Sequence, residues 1–145
     1  MSNLPLNKTN KTLFTSKSYK SLNKSMLLIY ALFTIVYMLR GKLCALDNQY
    51  ITLFAWTAPN LIPSFLFTLT GIFYIVPRVF KGTKEINNPK FIWIINVLNI
   101  AIFALIEYFH VILNLGVWDN KDMVASLIGS IIATIVYFKI RKSFV

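Results

Sequence analysis

The chain of 145 residues has one cysteine, one histidine and only five acidic side chains. A lone Cys44 excludes an intrachain disulfide and any multi-cysteine metal site. His110 among scattered carboxylates has no recognisable ligand spacing, so neither a metal nor a cofactor is expected. There is no serine-nucleophile motif, phosphate-binding glycine loop or zinc signature, and hence no named reaction to assign.

Apolar side chain is what the sequence has in excess. At 57% hydrophobic and 15% aromatic residues it holds far more than one small soluble core needs, which places it in a bilayer. Its 15 Lys and Arg give a formal net charge of +10. On a folded soluble domain that charge would point to nucleic acid. Here it sits in the N-terminal arm, the short connections and the C-terminus, beside apolar runs, so it reads as a topology signal and no nucleic-acid partner is expected.

Residues 1–25, rich in Asn, Ser, Thr and Lys, read as a basic, loosely ordered cytoplasmic arm. Its Asn7-Lys8-Thr9 and Asn10-Lys11-Thr12 triplets match the glycosylation pattern, which a cytoplasmic arm would not present to the machinery. Four spans follow, at about 26–46, 60–79, 91–116 and 123–138, each near the length that crosses a bilayer. Pro59 and Pro63 favour a kink or a helix start, so Ile51 to Thr57 is expected as an interfacial segment before the second span. Lys and Arg in the arm, in the connection from Arg78 to Lys90 and in the basic tail 139–145 outweigh those in the other two loops. That bias puts both termini in the cytoplasm. The fold class is therefore all-α: a polytopic protein of the cell membrane with four transmembrane helices.

Two patterns stand out within the spans. In the third, Asn96, Asn99, Glu107, His110 and Asn114 recur at spacings of three, four or seven, with Phe103 in the gap, and form one polar stripe on a helix. Ionisable groups in a membrane helix are rare, which makes Glu107 and His110 the default functional candidates. In the fourth span, Ala125, Gly129 and Ala133 recur every four residues beside Ser126, Ser130 and Thr134. Such a strip of small side chains allows close helix packing, expected against the third span; a homodimer through the same face is the competing use. Asn60, Ser64 and Thr68 fall one turn apart on the second span. Glu107 and His110 would lie about 13 Å and about 9 Å from Gly116 along a helix. A polar cluster of Asn60, Ser64, Glu107, His110, Asp119, Asp122 and Ser126 in the outer half of the membrane is thus the candidate site.

Glu107-Tyr108-Phe109-His110 and Asp122 to Gly129 also carry a resemblance. They are similar to the VanZ-like family of small bacterial membrane proteins, which shows Glu-x-x-Gln on one helix, an acidic turn, then Asp-x-x-x-Asn-x-x-Gly on the next. Glu107, Asp122 and Gly129 match, while His110 stands for the usual Gln and Ser126 for the usual Asn. Upstream, Asn60 to Phe65 falls where such proteins carry Asp-Lys-x-x-His-Phe, and only Phe65 matches. The resemblance covers about residues 56 to 138. It implies a four-helix protein of the bacterial cell envelope and, through the family's name, a link to glycopeptide antibiotic resistance.

Two functions are expected from these readings. The first is an accessory envelope protein whose outer-leaflet cluster binds a lipid-linked cell-wall precursor, a glycopeptide-type ligand or a partner protein, with membrane lipid around it and no catalysis. The second is an intramembrane enzyme or small carrier that uses Glu107, His110 and Asp122 on a lipid-linked substrate.

Overall fold

The computed structural model describes residues 16–80, 84–115 and 118–144, and every regular element among them is helical. Helix α1 spans Lys17–Cys44. Helix α2, Gln49–Thr70, continues through a π-helical turn, Gly71–Ile75, into the short α3, Val76–Val79. A 3-10 turn, Lys84–Asn87, leads into α4, Pro89–Ile112; α5, Asn120–Ile140, ends in a 3-10 turn, Arg141–Phe144. Four stretches, Lys17–Cys44, Gln49–Val79, Pro89–Ile112 and Asn120–Phe144, are each long and apolar enough to cross a membrane. The all-α, four-span fold class is the one observed.

Each long helix begins at a side-chain cap. Ser16 accepts from the Tyr19 N–H, Asn48 from Tyr50 and Ile51, Asn88 from Lys90 and Asp119 from Lys121. These oxygens satisfy amides that no helical partner reaches, and Pro89 at the first turn of α4 lacks the amide altogether. At the far end of α4, Asn114 takes a positive φ of 54°. The Leu115 N–H then donates to the His110 carbonyl at 2.9 Å and the Asn114 N–H to Val111 at 3.2 Å, the paired closure of a Schellman motif.

These boundaries change three expectations. Residues 17–25 of the expected loose arm are helical, because Tyr19 and Leu22 are buried and anchor the first turns of α1; residues 1–15 lie outside the described residues. The interfacial segment expected at Ile51 to Thr57 is the beginning of α2 itself, and Pro59 and Pro63 lie inside that helix. The third span stops at Ile112 rather than Gly116, and Asn114 ends the helix instead of extending the polar stripe.

Pro77 shapes the basic end of the bundle. It has no N–H to offer the Phe73 carbonyl four residues earlier. The Tyr19 hydroxyl donates to that carbonyl at 3.0 Å instead and ties α1 to the π-helical turn. Around this bond lies the apolar core: Leu69, Ile72, Phe73, Ile86, Ile92 and Tyr137 are buried together, and the Phe144 ring packs tilted on Phe73 at 4.5 Å and edge-to-face on Tyr19 at 4.9 Å, ring centre to ring centre. The Tyr137 hydroxyl donates to the Ile86 carbonyl at 2.7 Å, which closes the connection onto α5.

The most extensive helix pair is α2 with α5. Ala125 and Ala133 are buried along it, and at Gly129 the Leu61 carbonyl oxygen occupies the space a β-carbon would need, with the Phe65 nitrogen 3.1 Å from that position. The small-residue strip of the fourth span therefore meets the second span; the expected partner, the third, meets α5 less extensively. A homodimer through the strip would have to displace α2.

Two glycines make a paired prediction. Gly129→Ala places a methyl group against main chain and should lower stability by about 1–3 kcal/mol, the usual cost of overpacking. Gly41→Ala meets nothing within 4 Å and should raise stability by about 0.5–1 kcal/mol through helix propensity alone. Unfolding by SDS titration in mixed micelles compares the two, and equal effects would refute the close α2–α5 contact.

Candidate functional site

The polar residues of the spans separate into two groups. The first is a neutral seam in the interior of the bundle. The Asn99 side-chain amide, fully buried on α4, donates to the Ser64 carbonyl at 2.9 Å, the Ser64 hydroxyl at 2.8 Å and the Thr68 hydroxyl at 2.8 Å. The Ser64 hydroxyl in turn donates to the Ser126 carbonyl on α5 at 2.5 Å. One turn away, the Asn96 oxygen accepts from Ser130 at 2.6 Å, and its amide donates to the Thr134 hydroxyl at 2.8 Å. Three helices are thus joined through side chains that lipid could not solvate. The Asn99 oxygen is buried and has no hydrogen-bond partner among the described residues. Turning the amide over would set that oxygen against the Ser64 carbonyl, so the orientation with the NH2 group toward α2 is the favourable one.

The second group is acidic and lies at the end formed by the α1–α2 and α4–α5 turns. Glu107 is 6% exposed. Its carboxyl lies within electrostatic reach of Asp122, His110 and Asp119, and the Asp119 main chain contacts it. His110 is exposed, whereas Asp119 and Asp122 are half-buried. Asp119 has a structural duty here, since its carboxylate caps α5. Among the described residues no three His, Cys, Asp or Glu side chains are placed to hold a metal ion.

The expected cluster is therefore only partly brought together. Glu107, His110, Asp119 and Asp122 share one end of the molecule. Ser64 and Ser126 belong to the neutral seam and are consumed by it: Ser126 donates back to the Asp122 carbonyl at 3.0 Å. Asn60 is half-buried on α2, one turn before Ser64. Ala125, Gly129 and Ala133 line the α2–α5 contact.

Beside the acidic group a cleft of about 760 Å³ opens between the two turns, with Asp47, Trp56, Asp119, Lys121 and Asp122 on its walls. The Arg40 guanidinium lies 4.0 Å over the Trp56 ring and holds it against α1. Leu53, Thr57 and Lys121 also line a second depression of about 420 Å³, in which Leu61, Val124, Ala125 and Ile128 make an apolar groove along α2 and α5. A polar cleft thus runs into an apolar groove. Asp47, Trp56 and Lys121 were not among the expected site residues. The available signal was topological: in an up-and-down bundle the first and third turns share one end, so Asp47 and Asp119 are neighbours across space.

Compared with known protein families, curated proteins and solved structures, the chain has no match in any of the three.

The seam predicts a specific sensitivity. Asn99→Ala leaves the Ser64 and Thr68 hydroxyls without their shared donor and should cost about 1–3 kcal/mol in SDS-titration unfolding. His110→Ala, at an exposed position, should shift stability by no more than about 0.5 kcal/mol. A smaller effect at Asn99 than at His110 would show that the seam does not hold the bundle.

Proposed function

We propose that this chain is a non-catalytic binding protein of the bacterial cell membrane, VanZ-like in kind, that seats an amphiphilic envelope ligand at its acidic end. The observation that carries the reading is the union of cleft and groove: a polar space of about 760 Å³ that shares Leu53, Thr57 and Lys121 with an apolar groove of about 420 Å³. A polar head in the first and one hydrocarbon chain in the second would match both surfaces. Asp47, Asp119 and Asp122 favour a head that carries an amine over one that carries a diphosphate. An acylated glycopeptide meets both demands; a lipid-linked cell-wall precursor meets only the second.

The alternative, an enzyme or carrier working through Glu107, His110 and Asp122, has less support. Only Asp122 of the three stands on the wall of the cleft, Glu107 is buried behind it, and His110 is exposed. Two of the positions shared with the VanZ-like pattern have a structural account: Gly129 admits the Leu61 carbonyl, and Glu107 lies within reach of the Asp119 main chain.

Binding is measured on the purified chain in micelles through the fluorescence of Trp56, with Trp56→Phe to identify its share. An acylated glycopeptide should bind at least about tenfold more tightly than the same molecule without its acyl chain, a conservative share of what burying several methylenes contributes. Replacing Asp47, Asp119 and Asp122 together by Asn keeps the cap of α5, since Asn caps as well as Asp, and should weaken binding about tenfold or more. Equal affinity with and without the acyl chain, or an affinity untouched by the triple replacement, would sink the reading.

A further inference from the structure

A separate cleft of about 570 Å³ lies at the opposite, basic end of the bundle. It runs between the first turns of α1 and the α2–α5 pair. α1 meets the end of α5 through the 3-10 turn Arg141–Phe144, where Ser18 donates to the Ser143 carbonyl at 2.7 Å, and above that contact the two helices stand apart. The inner wall is apolar, made by Met26, Phe65 and Val136 among others. The rim is Lys17 with the hydroxyls of Ser21 and Ser25, all three exposed. Lys20, Lys24, Lys139 and Lys142 stand exposed within a few residues of the rim along α1 and the end of α5. Of the five acidic residues only Glu85 belongs to this end; Asp47, Glu107, Asp119 and Asp122 lie at the other.

We propose that this cleft is the seat of one anionic phospholipid. Its phosphate lies at Lys17 and the hydroxyls of Ser21 and Ser25, and one acyl chain lies along Met26, Phe65 and Val136. Charge complementarity selects the occupant: an apolar wall under a rim of ammonium and hydroxyl donors, with Glu85 the one acidic side chain among the described residues of that end, fits a headgroup of net negative charge with a hydrocarbon chain. A zwitterionic lipid would bring its own ammonium group into a basic surround. By the positive-inside rule this end faces the cytoplasmic leaflet, whose surface carries the anionic lipids. The site stands apart from the acidic cleft and does not rest on the ligand proposed there. It also assigns a role to the early start of α1, since Lys17, Ser21 and Ser25 come into register only because the helix begins at Lys17.

Native mass spectrometry of the full chain, released from micelles doped with equal amounts of phosphatidylglycerol and phosphatidylcholine, tests it. The wild type should retain phosphatidylglycerol over phosphatidylcholine by about fivefold or more, the factor expected for one basic residue facing a headgroup of net negative charge in place of a zwitterionic one. Lys17→Gln should bring that ratio down about fivefold. Ser25→Trp, which fills the cleft from its rim, should remove retained phosphatidylglycerol. Equal retention of the two lipids by the wild type overturns the proposal whatever the variants do. So does wild-type selectivity in either variant. Displacement of the lipid by glycerol phosphate at equal concentration would also overturn it, because that result describes a phosphate site with no use for the chain. Should Ser25→Trp fail to fold, the wild-type ratio and Lys17→Gln decide.

Discussion

The contact between α2 and α5 is what the rest of the bundle hangs on. In a bilayer two helices gain nothing by hiding leucine from lipid, so association must come from close packing and from polar groups that lipid cannot satisfy. Gly129 supplies the first by admitting the Leu61 carbonyl into the space of its missing side chain. Ser64 supplies the second through its bond to the Ser126 carbonyl, which is short only because the backbones are so near. Asn99 then inserts its amide between Ser64 and Thr68 and brings α4 to the pair. A larger residue at Gly129 would act on all three helices, since the donors and acceptors of the seam depend on that spacing.

The two ends of the bundle differ for reasons visible in single residues. At the basic end, a proline without an amide, a tyrosine hydroxyl and the ring of Phe144 lock α1, the π-helical turn and the end of α5 around a common core. At the acidic end α1 passes through a left-handed Asp47 into α2, and α4 closes on a left-handed Asn114, and the described residues of that end lie outside the buried apolar cluster. The space left over is the cleft. The charged concavity at this end lies away from that buried core, so a ligand there leaves the core packing in place.

In the acidic group one side chain serves two purposes. Asp119 caps α5 and also faces the cleft, and its main chain contacts the buried Glu107. The carboxylates there cannot be read as a site on their number alone, because part of their role is to end one helix and begin another. What raises the cleft above that is its continuity with an apolar groove, a property of the surface and not of any one residue.

Helix number, approximate spans and the small-residue strip were legible in the amino-acid order, because length, hydropathy and a spacing of four are properties of one helix at a time. Asn96 and Asn99 were legible as members of one polar stripe for the same reason, and amides buried in lipid need partners. The partners themselves were not. Whether Gly129 faces the second span or the third, whether Ser64 belongs with Glu107 or with Asn99, and where α1 begins all depend on relative rotation and approach between helices. A single-helix period carries no information on these. The end of α4 shows the same division. A sequence with Asn114 permits a left-handed residue there, but only the carbonyls of His110 and Val111, brought within reach of the turning chain, decide that the helix stops. Composition and periodicity determined that this protein is four apolar helices with a polar interior; tertiary packing decided which polar groups are consumed by the fold and which are left facing a cleft.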